Sequence, residues 1–363
     1  MCLIETDEFG PLKFIHLHSE KAALRAWIVV DNIALGPAIG GVRVSPSVTA
    51  GEVQRLARTM TLKNSIAGLA HGGAKAGIAA DPKSPGKEHC FRVFARLIKE
   101  LLEYIPGPDM GSDEECMAWI QDETGRAAGL PEEIGGLPLD KLGAAGFGLS
   151  ECAEVACPFA GLELKGARVA IQGFGSVGKA AARFLSRKGA VIIAASDTRG
   201  TVYNSDGMET ADLLKVKEET GSVVNYVKGK RLGGDEIFSI QTDILIPAAT
   251  PDVITMENVN SIKAKLVLQG ANIPVTSEAE KVLHERGVLS VPDFIANAGG
   301  VIMAAMEYEK RSERDAFEAI SEKIRKNTRL ILEKAVKKKG LPREAAEVLA
   351  LERVRQAQRY RDY

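Results

Sequence analysis

The chain has 363 residues, of which 45% are hydrophobic and 26% charged, which is the composition of a globular protein with room for two domains. Its formal net charge of −1 argues against a surface for nucleic acid or an anionic membrane. The five cysteines form no CxxC pair and the five histidines form no zinc-type cluster, so we expect reduced thiols, a cytoplasmic location and no metal.

The first part of the chain predicts two strands and a helix. Its acidic N-terminus is unlike a signal peptide, and no apolar run is long enough to span a membrane. Residues 24–30 (LRAWIVV) predict a strand, and residues 36–43 (GPAIGGVR) predict a Gly-rich turn leading to a second strand. Thr49 and Glu52 have the spacing of a capping box, so we expect a helix to begin there.

Two lysines lie in residues 62–78, a segment with almost no other charge. Lys63 falls on the apolar face of the predicted helix, because it follows Leu56 at helical spacing. The other members of that face are Val53, Ala57 and Met60. Lys75 follows residues 72–74 (GGA), where we expect a turn whose small residues let a ligand approach the backbone, before a short strand that ends at about residue 80. Burial and a nearby like charge both lower a lysine's pKa, so Lys75 is a candidate general base.

An aspartate supplies the second candidate for proton transfer. Apolar residues at helical spacing over 91–105 predict one long helix, which must end at residues 106–108 (PGP). The prolines stiffen the segment that presents Asp109, and Ser112 with Glu115 is expected to cap the next helix. A carboxylate on a rigid turn is well placed to exchange protons.

The clearest local pattern indicates a dinucleotide-binding unit. An apolar strand at 167–172 is followed by GFGSVG at 173–178, a helix, and a second strand at 190–196 that ends at Asp197. A GxGxxG motif in that setting, with an acidic residue about 20 residues further on, is typical of a βαβ nucleotide site. Asp197 is expected to accept hydrogen bonds from the adenosine ribose. This favours NAD, and the cation Arg199 leaves NADP open.

Small and polar residues follow two later strands, predicted at 243–246 and 265–269, and suit the crevice at the carboxyl edge of a doubly wound sheet. The cofactor-binding residues predicted from these patterns are Gly173, Phe174, Gly175, Ser176, Val177, Gly178, Asp197, Ala248, Ala249 and Asn272.

Taken together, these motifs resemble the glutamate/leucine/phenylalanine/valine dehydrogenase superfamily over residues 24–310. The resemblance is carried by six segments in order, GPAIGGVR (36–43), LKNS (62–65), GGAKAGI (72–78), GPDMGSDEECMAW (107–119), GFGSVG (173–178) and NAGGV (297–301). It implies a substrate domain, a Rossmann domain and an active site in the cleft between them. It also implies a homo-oligomer, either a hexamer or an octamer.

The resemblance assigns roles to individual residues. It implies that Lys75 is the catalytic lysine, Asp109 the catalytic aspartate, and Lys63 the residue that holds the substrate α-carboxylate. Asn297 is expected near both substrate and nicotinamide. The implied substrate-binding residues are Lys63, Ile39, Gly40, Gly41, Met60, Gly107, Asn297, Val301 and Ala304. The implied reaction is reversible oxidative deamination, in which Lys75 accepts a proton from water and Asp109 exchanges one with the amine.

We therefore expect an α/β protein with two domains. Residues 1–135, with about 315–363, are expected to form an α/β substrate and oligomerisation domain. Residues from about 145 to 300 are expected to form a doubly wound Rossmann domain, with hinges at about 136–145 and 297–314. Two charged helices are predicted at about 313–339 and 342–360, and they are expected to return to the first domain.

Two departures from the family bear on the substrate. Glutamate dehydrogenases place a lysine where this chain has Ile39 and a serine where it has Ala304, and both hold the glutamate side-chain carboxylate. Burying that carboxylate without a partner costs several kcal/mol, so an apolar, leucine-type L-amino acid (leucine, valine or phenylalanine) is expected. One alternative is a glutamate dehydrogenase with another anchor, such as Arg25. The other is a catalytically silent sensor, suggested by Ala145 where the family has threonine.

Overall fold

The computed structural model describes residues 6–361, which form two compact units. The first unit comprises the described residues up to Leu142, Val301–Phe317 and the residues from Glu347 onward, and the second comprises Gly143–Gly300 and Glu318–Ala346. The sequence assigned everything from about residue 315 to the first domain, whereas the structure places Glu318–Ala346 in the second unit. One contact that ties Glu318–Ala346 to the second unit is the hydrogen bond from the Ser321 hydroxyl to the buried carboxylate of Glu151.

The first unit is built on a five-stranded sheet. Its elements are β1 (Lys13–Ser19), β2 (Leu24–Asn32), β3 (Ala38–Val44), α1 (Ala50–Ile66), β4 (Gly72–Ile78), α2 (Lys87–Leu97), β5 (Tyr104–Pro108), α3 (Glu114–Thr124) and α4 (Leu139–Leu142). The strand order is β1-β2-β4-β3-β5, with β3, β4 and β5 mutually parallel. Phe91 and Phe94 of α2 and Met117 of α3 fill one face of the sheet, while α1 packs on the other through Val53 and Ala57.

Three stretches of this unit differ from their predicted structure. The Gly-rich turn expected over 36–43 is wrong for most of its length, because residues 38–44 form β3, which pairs with β4 and β5 on its two sides. The helix expected over 91–105 ends at Leu97, and residues 104–108 form β5 instead. Its prolines are tolerated because β5 is an edge strand of the sheet. The turn expected at Lys75 is also wrong, since Lys75 lies in the middle of β4. The glycines and alanines of that strand have little β propensity, but pairing with β2 and β3 on both sides outweighs it.

The second unit contains the predicted nucleotide-binding fold. Its elements are α5 (Ala144–Phe159), β6 (Arg168–Gln172), α6 (Ser176–Arg187), β7 (Val191–Asp197), β8 (Gly200–Tyr203), α7 (Thr210–Thr220), β9 (Lys230–Leu232), β10 (Ile244–Pro247), β11 (Leu266–Leu268), α8 (Ser277–Glu285), β12 (Leu289–Val291) and α9 (Asp293–Ala296). The strand order is β12-β11-β10-β6-β7-β8-β9. Strands β7 and β10 pair with opposite sides of β6, which creates the switch point at which doubly wound sheets bind ligands.

Three helices complete the chain, α10 (Gly299–Tyr308), α11 (Glu313–Lys338) and α12 (Pro342–Gln358), and the last two lie close to the positions predicted for them. Helix α12 secures the helix that carries Lys63. The Arg353 guanidinium donates to the carbonyls of Ser65 and Ile66, which satisfies acceptors at the carboxyl end of α1. Among the helices that the structure describes, none is long and apolar enough to cross a membrane.

Candidate functional site

Four charged side chains meet on one face of the sheet of the first unit. Lys75 Nζ lies 3.1 Å from Asp109 Oδ2, and the Lys75 side chain is only 5% exposed. Arg43 Nε donates to the same Asp109 oxygen at 2.8 Å. Arg43 Nη1 donates to Glu52 Oε1 at 2.6 Å. The structure thus brings together Lys75 and Asp109, the two residues that the sequence assigns to proton transfer.

Strand alternation explains why these groups share a face. Ile39, Gly41 and Arg43 alternate along β3 and therefore point to the same side of the sheet. A methyl group at Gly41 would lie 2.8 Å from Asp109 Cβ and 3.2 Å from Lys75 Nζ. Real side chains do not pack that closely. The absence of a side chain at Gly41 therefore leaves the space in which Lys75 and Asp109 meet.

Gly107 gives the same face an open position. It pairs directly with Gly41, so it belongs to the row of residues beside Lys75. A methyl group at Gly107 would have a single close neighbour, the Ala128 carbonyl oxygen at 3.8 Å, although the residue itself is buried. This space next to Lys75 is suited to a small ligand.

A short turn after β5 holds Asp109. The Ser112 hydroxyl accepts a hydrogen bond from the Asp109 backbone N–H and donates to the Val42 carbonyl. The predicted helix cap at Ser112 is wrong, because Asp113 caps α3 by accepting from the Cys116 N–H. Ser112 is instead free to tie the Asp109 turn to β3.

The electrostatics suit a lysine that gives up its proton. The pKa of Lys75 is lowered because burial penalises the ammonium form and Arg43 repels it, while Asp109 opposes both effects. Burial alone would raise the pKa of Asp109, but the charges of Lys75 and Arg43 outweigh it and hold that pKa below its usual value. The sequence pointed to Lys63 as the like-charged neighbour, whereas the structure gives that role to Arg43. Lys63 is buried on α1, as predicted, with 6% exposure.

The glycines before Lys75 serve packing rather than ligand approach. A methyl group at Gly73 would lie 2.0 Å from the Thr61 backbone nitrogen, so α1 can rest on β4 only if residue 73 is glycine. Gly40 is similar, since its methyl group would lie 1.8 Å from the Ala74 carbonyl oxygen. The expectation that residues 72–74 admit a ligand is therefore not supported by their surroundings.

The remaining residues assigned to the substrate side chain are apolar. Ile39 is buried on the Lys75 face of β3, and Ala304 is buried on α10. Val301 on α10 and Met60 on α1 are half-buried. None of these four side chains provides a hydrogen-bond partner for a carboxylate.

In the second unit, the three glycines of GFGSVG have separate functions. Gly173 has a φ of +89° and packs against Ala249, so a side chain there would be both strained and obstructed. A methyl group at Gly178 would lie 2.0 Å from the Gly173 carbonyl oxygen, so this glycine lets the helix start close to β6. Gly175 has no heavy atom within 4 Å of its Cβ position, which leaves its backbone open to a pyrophosphate.

The other motif residues frame that opening. Phe174 is buried beneath the loop, whereas Ser176 and Val177 begin α6 and present N–H groups typical of phosphate sites. Ala248 donates its N–H to the Gln172 carbonyl at 2.7 Å, which joins the ends of β6 and β10.

Two buried acceptors without partners mark the carboxyl edge of this sheet. The Asn297 amide group donates to the carbonyls of Gly270 and Ala271, both at 3.1 Å, and it also contacts Asn272. Two carbonyl partners fix the NH2 end of the amide, which leaves Asn297 Oδ1 buried and unpaired. Gln172 Oε1 is unpaired in the same way. Buried acceptors usually have a donor, so these residues fit a dinucleotide that carries an amide and hydroxyl groups.

The expected role of Asp197 does not follow from its contacts. Its carboxylate accepts from Lys217 Nζ and the Val223 N–H at 2.8 Å, the Arg199 N–H at 2.9 Å and the Ser222 hydroxyl at 3.0 Å. A carboxylate has about four acceptor positions, so protein donors already fill them. Asp197 therefore organises the loop after α7, and a ribose hydroxyl would have to displace one of these donors.

Substituting Asp197 with asparagine distinguishes the two roles. We expect Asp197→Asn to weaken NAD⁺ and NADP⁺ binding by similar factors and to reduce stability by about 1–3 kcal/mol, because two donors lose their acceptors. Fluorescence titration with both cofactors and thermal melting measure these effects. If only NAD⁺ binding were lost and stability were unchanged, Asp197 would be a direct ribose ligand.

Comparison with known proteins identifies the family of both units. The family model described as Glu/Leu/Phe/Val dehydrogenase, dimerisation domain, matches residues 14–126. The model described as Glutamate/Leucine/Phenylalanine/Valine dehydrogenase matches residues 135–362. The chain belongs to this family. It is an amino acid dehydrogenase with the two-domain fold of that family, whose members use NAD(P).

Several members of the family resemble the whole chain. A glutamate dehydrogenase of Aeropyrum pernix is 40% identical over 93% of this chain and 86% of its own length. An NADP-specific glutamate dehydrogenase of Saccharolobus shibatae is 42% identical over 78% of this chain and 70% of its own length. The hetero-hexameric glutamate dehydrogenase of Thermus thermophilus, solved with Leu bound, has a TM-score of 0.88 at 32% identity and covers 97% of this chain and 90% of its own.

Proposed function

We propose that this dehydrogenase carries out the reversible oxidative deamination of an L-amino acid, with L-glutamate as the first candidate substrate. The observation that carries the reaction is the buried contact between Lys75 and Asp109 beside the open position at Gly107. A lysine with a lowered pKa next to a carboxylate suits a reaction that deprotonates water and exchanges a proton with an amine.

The residues of the first unit would handle the protons. When bound, NAD(P) accepts the hydride from the substrate Cα. Lys75 Nζ would take a proton from the water that attacks the resulting imine carbon, and Asp109 would exchange a proton with the amine. Lys63, buried on α1, is proposed to hold the α-carboxylate as a charged partner. In the second unit, Asn297 Oδ1 would accept from an amide of the cofactor.

Glutamate is favoured by the relatives, because proteins 38–42% identical to this chain are named glutamate dehydrogenases. An apolar amino acid is the second candidate, and Ile39 and Ala304 favour it since neither can pair with a carboxylate. A panel of glutamate, leucine, valine and phenylalanine with NAD⁺ and NADP⁺ separates the two candidates. No reduction of either cofactor with any of these amino acids would count against the proposed reaction.

A single substitution tests whether residue 39 contacts the substrate side chain. We expect Ile39→Lys to raise kcat/KM for glutamate by about tenfold or more, because a charge-assisted hydrogen bond contributes about 1.5–3 kcal/mol. Its activity on leucine should fall. Ile39→Met is the matched control, since it has similar length without the charge. Equal effects of both variants on glutamate would show that residue 39 does not face the side chain.

For the cofactor, we propose that both NAD and NADP are accepted. Lys217 neutralises Asp197, which reduces the repulsion of a 2′-phosphate, and Arg199 is exposed beside them. The relative named NADP-specific agrees with this. We also propose that the chain forms a homo-oligomer. The neighbour named hetero-hexameric supports assembly into an oligomer, and light scattering after gel filtration measures its size.

A further inference from the structure

Arg43 and Glu52 extend the Lys75–Asp109 pair into a line of alternating charges. The line begins at Glu52 in the first turn of α1, crosses Arg43 on β3, and reaches Asp109 after β5 and Lys75 on β4. Arg43 has a side-chain exposure of 9% and Asp109 of 13%. Residues from four parts of the unit therefore form one ionic network, and Asp109 and Lys75, the residues proposed to transfer protons, lie at one end of it.

We propose that Arg43 is a positioning residue, which orients the Asp109 carboxylate and favours the neutral form of Lys75, and that Glu52 limits its effect. This inference rests on the proposed deamination and names a regulator of the same site. Neither residue contacts the reacting atoms in this scheme, because both act through Asp109 and Lys75.

The orientation of the Asp109 carboxylate follows from which of its oxygen atoms Arg43 and Lys75 contact. Arg43 Nε and Lys75 Nζ both contact Asp109 Oδ2, so we assign the proton exchange with the amine to the other oxygen, Oδ1. Arg43 cannot rotate freely, because Nη1 on another edge of the guanidinium donates to Glu52. A lysine at position 43 would supply a charge but not two fixed donors.

The charge effect follows from the groups that face Lys75. They are Asp109 beyond β5, Arg43 on β3, and Glu52 on α1, while β2 contributes the apolar Val29 opposite Lys75. The cation Lys63 is buried further along α1. The Arg43 charge lowers the pKa of Lys75, whereas the Glu52 and Asp109 charges raise it. Removing Arg43 should therefore raise the pKa of Lys75, and removing the charge of Glu52 should lower it.

The test measures the pH dependence of kcat/KM for the wild type, Arg43→Gln, Arg43→Lys and Glu52→Gln. Activity needs neutral Lys75, so it is lost as the pH falls through the pKa of Lys75. Arg43→Gln should raise the pH at which kcat/KM falls on the acid side by about one unit, and Glu52→Gln should lower it. Arg43→Lys should leave the pH at which kcat/KM falls unchanged, because the positive charge remains. It should lower kcat about tenfold or more, because the fixed hydrogen-bond geometry to Asp109 is lost.

The inference would be overturned if neither variant changed the pH at which kcat/KM falls, or if Arg43→Gln and Glu52→Gln changed it in the same direction. A purely structural role would change the rates without shifting this pH in opposite directions. Glu52→Gln keeps the α1 cap, which uses the Glu52 backbone N–H, so it remains informative where Arg43→Gln unfolds. If the wild type deaminates no amino acid, the proposed function fails separately. The protonation of Lys75 is then followed through the pH dependence of its acetylation by acetic anhydride, with the same opposite shifts expected.

Discussion

Replacing Lys75 with alanine or methionine is expected to abolish amino-acid-dependent reduction of NAD(P), with a loss of about 10³-fold or more in kcat. Lys75 is the lysine in contact with Asp109, and its lowered pKa makes it better able than an ordinary lysine to accept a proton. The residues proposed to bind the nucleotide belong to the second unit, so the Kd for the cofactor should stay within about twofold of the wild type. Steady-state kinetics and cofactor titration measure the two effects independently.

Two controls keep this result interpretable. Lys75→Met keeps most of the length of the side chain and removes its charge and hydrogen-bond donors, while Lys99→Ala removes an exposed lysine of the same unit. Asp109 retains Arg43 as a partner in Lys75→Met, so the protein should melt within a few degrees of the wild type. Undiminished turnover in Lys75→Met would show that the base is another residue.

The sequence predicted the parts of the fold whose patterns are local. The GFGSVG loop, its flanking strands and α6 were expected within a residue or two, because a GxGxxG motif between a strand and a helix has few other structures. β5 was missed because the apolar residues of α2 continue into it at nearly helical spacing. Only the second half of β4 was expected, as a short strand after Lys75. Its first half was missed because a strand made of glycine and alanine is stabilised by its neighbours, and only pairing with β2 and β3 reveals it.

The same distinction applies to the site. Lys75 and Asp109 were singled out because their flanking glycines and prolines are unusual, but they lie 34 positions apart and only the sheet brings them together. Arg43 was missed, although its alternation with Gly41 placed it on the same face once β3 was known. Glu52 was assigned to a helix cap, and half of that assignment is right, since its N–H donates to Thr49 while its carboxylate binds Arg43. The role of Asp197 as a ribose ligand stays a prediction, and its motif position did not reveal the four protein donors that surround its carboxylate.

Gly41 offers the second large effect, because the meeting of Lys75 and Asp109 depends on its missing side chain. A methyl group there would lie 2.8 Å from both Asp109 Cβ and the Pro108 carbonyl oxygen, so the Asp109 turn has to shift by several tenths of an ångström. Misplacing a catalytic group on this scale can cost about 10²-fold. We therefore expect Gly41→Ala to lower kcat by about that factor while cofactor affinity is unchanged.

Gly107→Ala is the matched control, because Gly107 is paired with Gly41 in the adjacent strand and carries the same change in volume. Its added methyl group meets only the Ala128 carbonyl oxygen at 3.8 Å, so Lys75 and Asp109 should keep their contact. We expect kcat for the best substrate to fall by about threefold at most, and KM to rise for bulky amino acids that use this space. Crystal structures of both variants would measure the distance from Lys75 Nζ to Asp109 Oδ2. Equal kinetics for Gly41→Ala and Gly107→Ala would mean that turnover does not depend on the close fit around this pair.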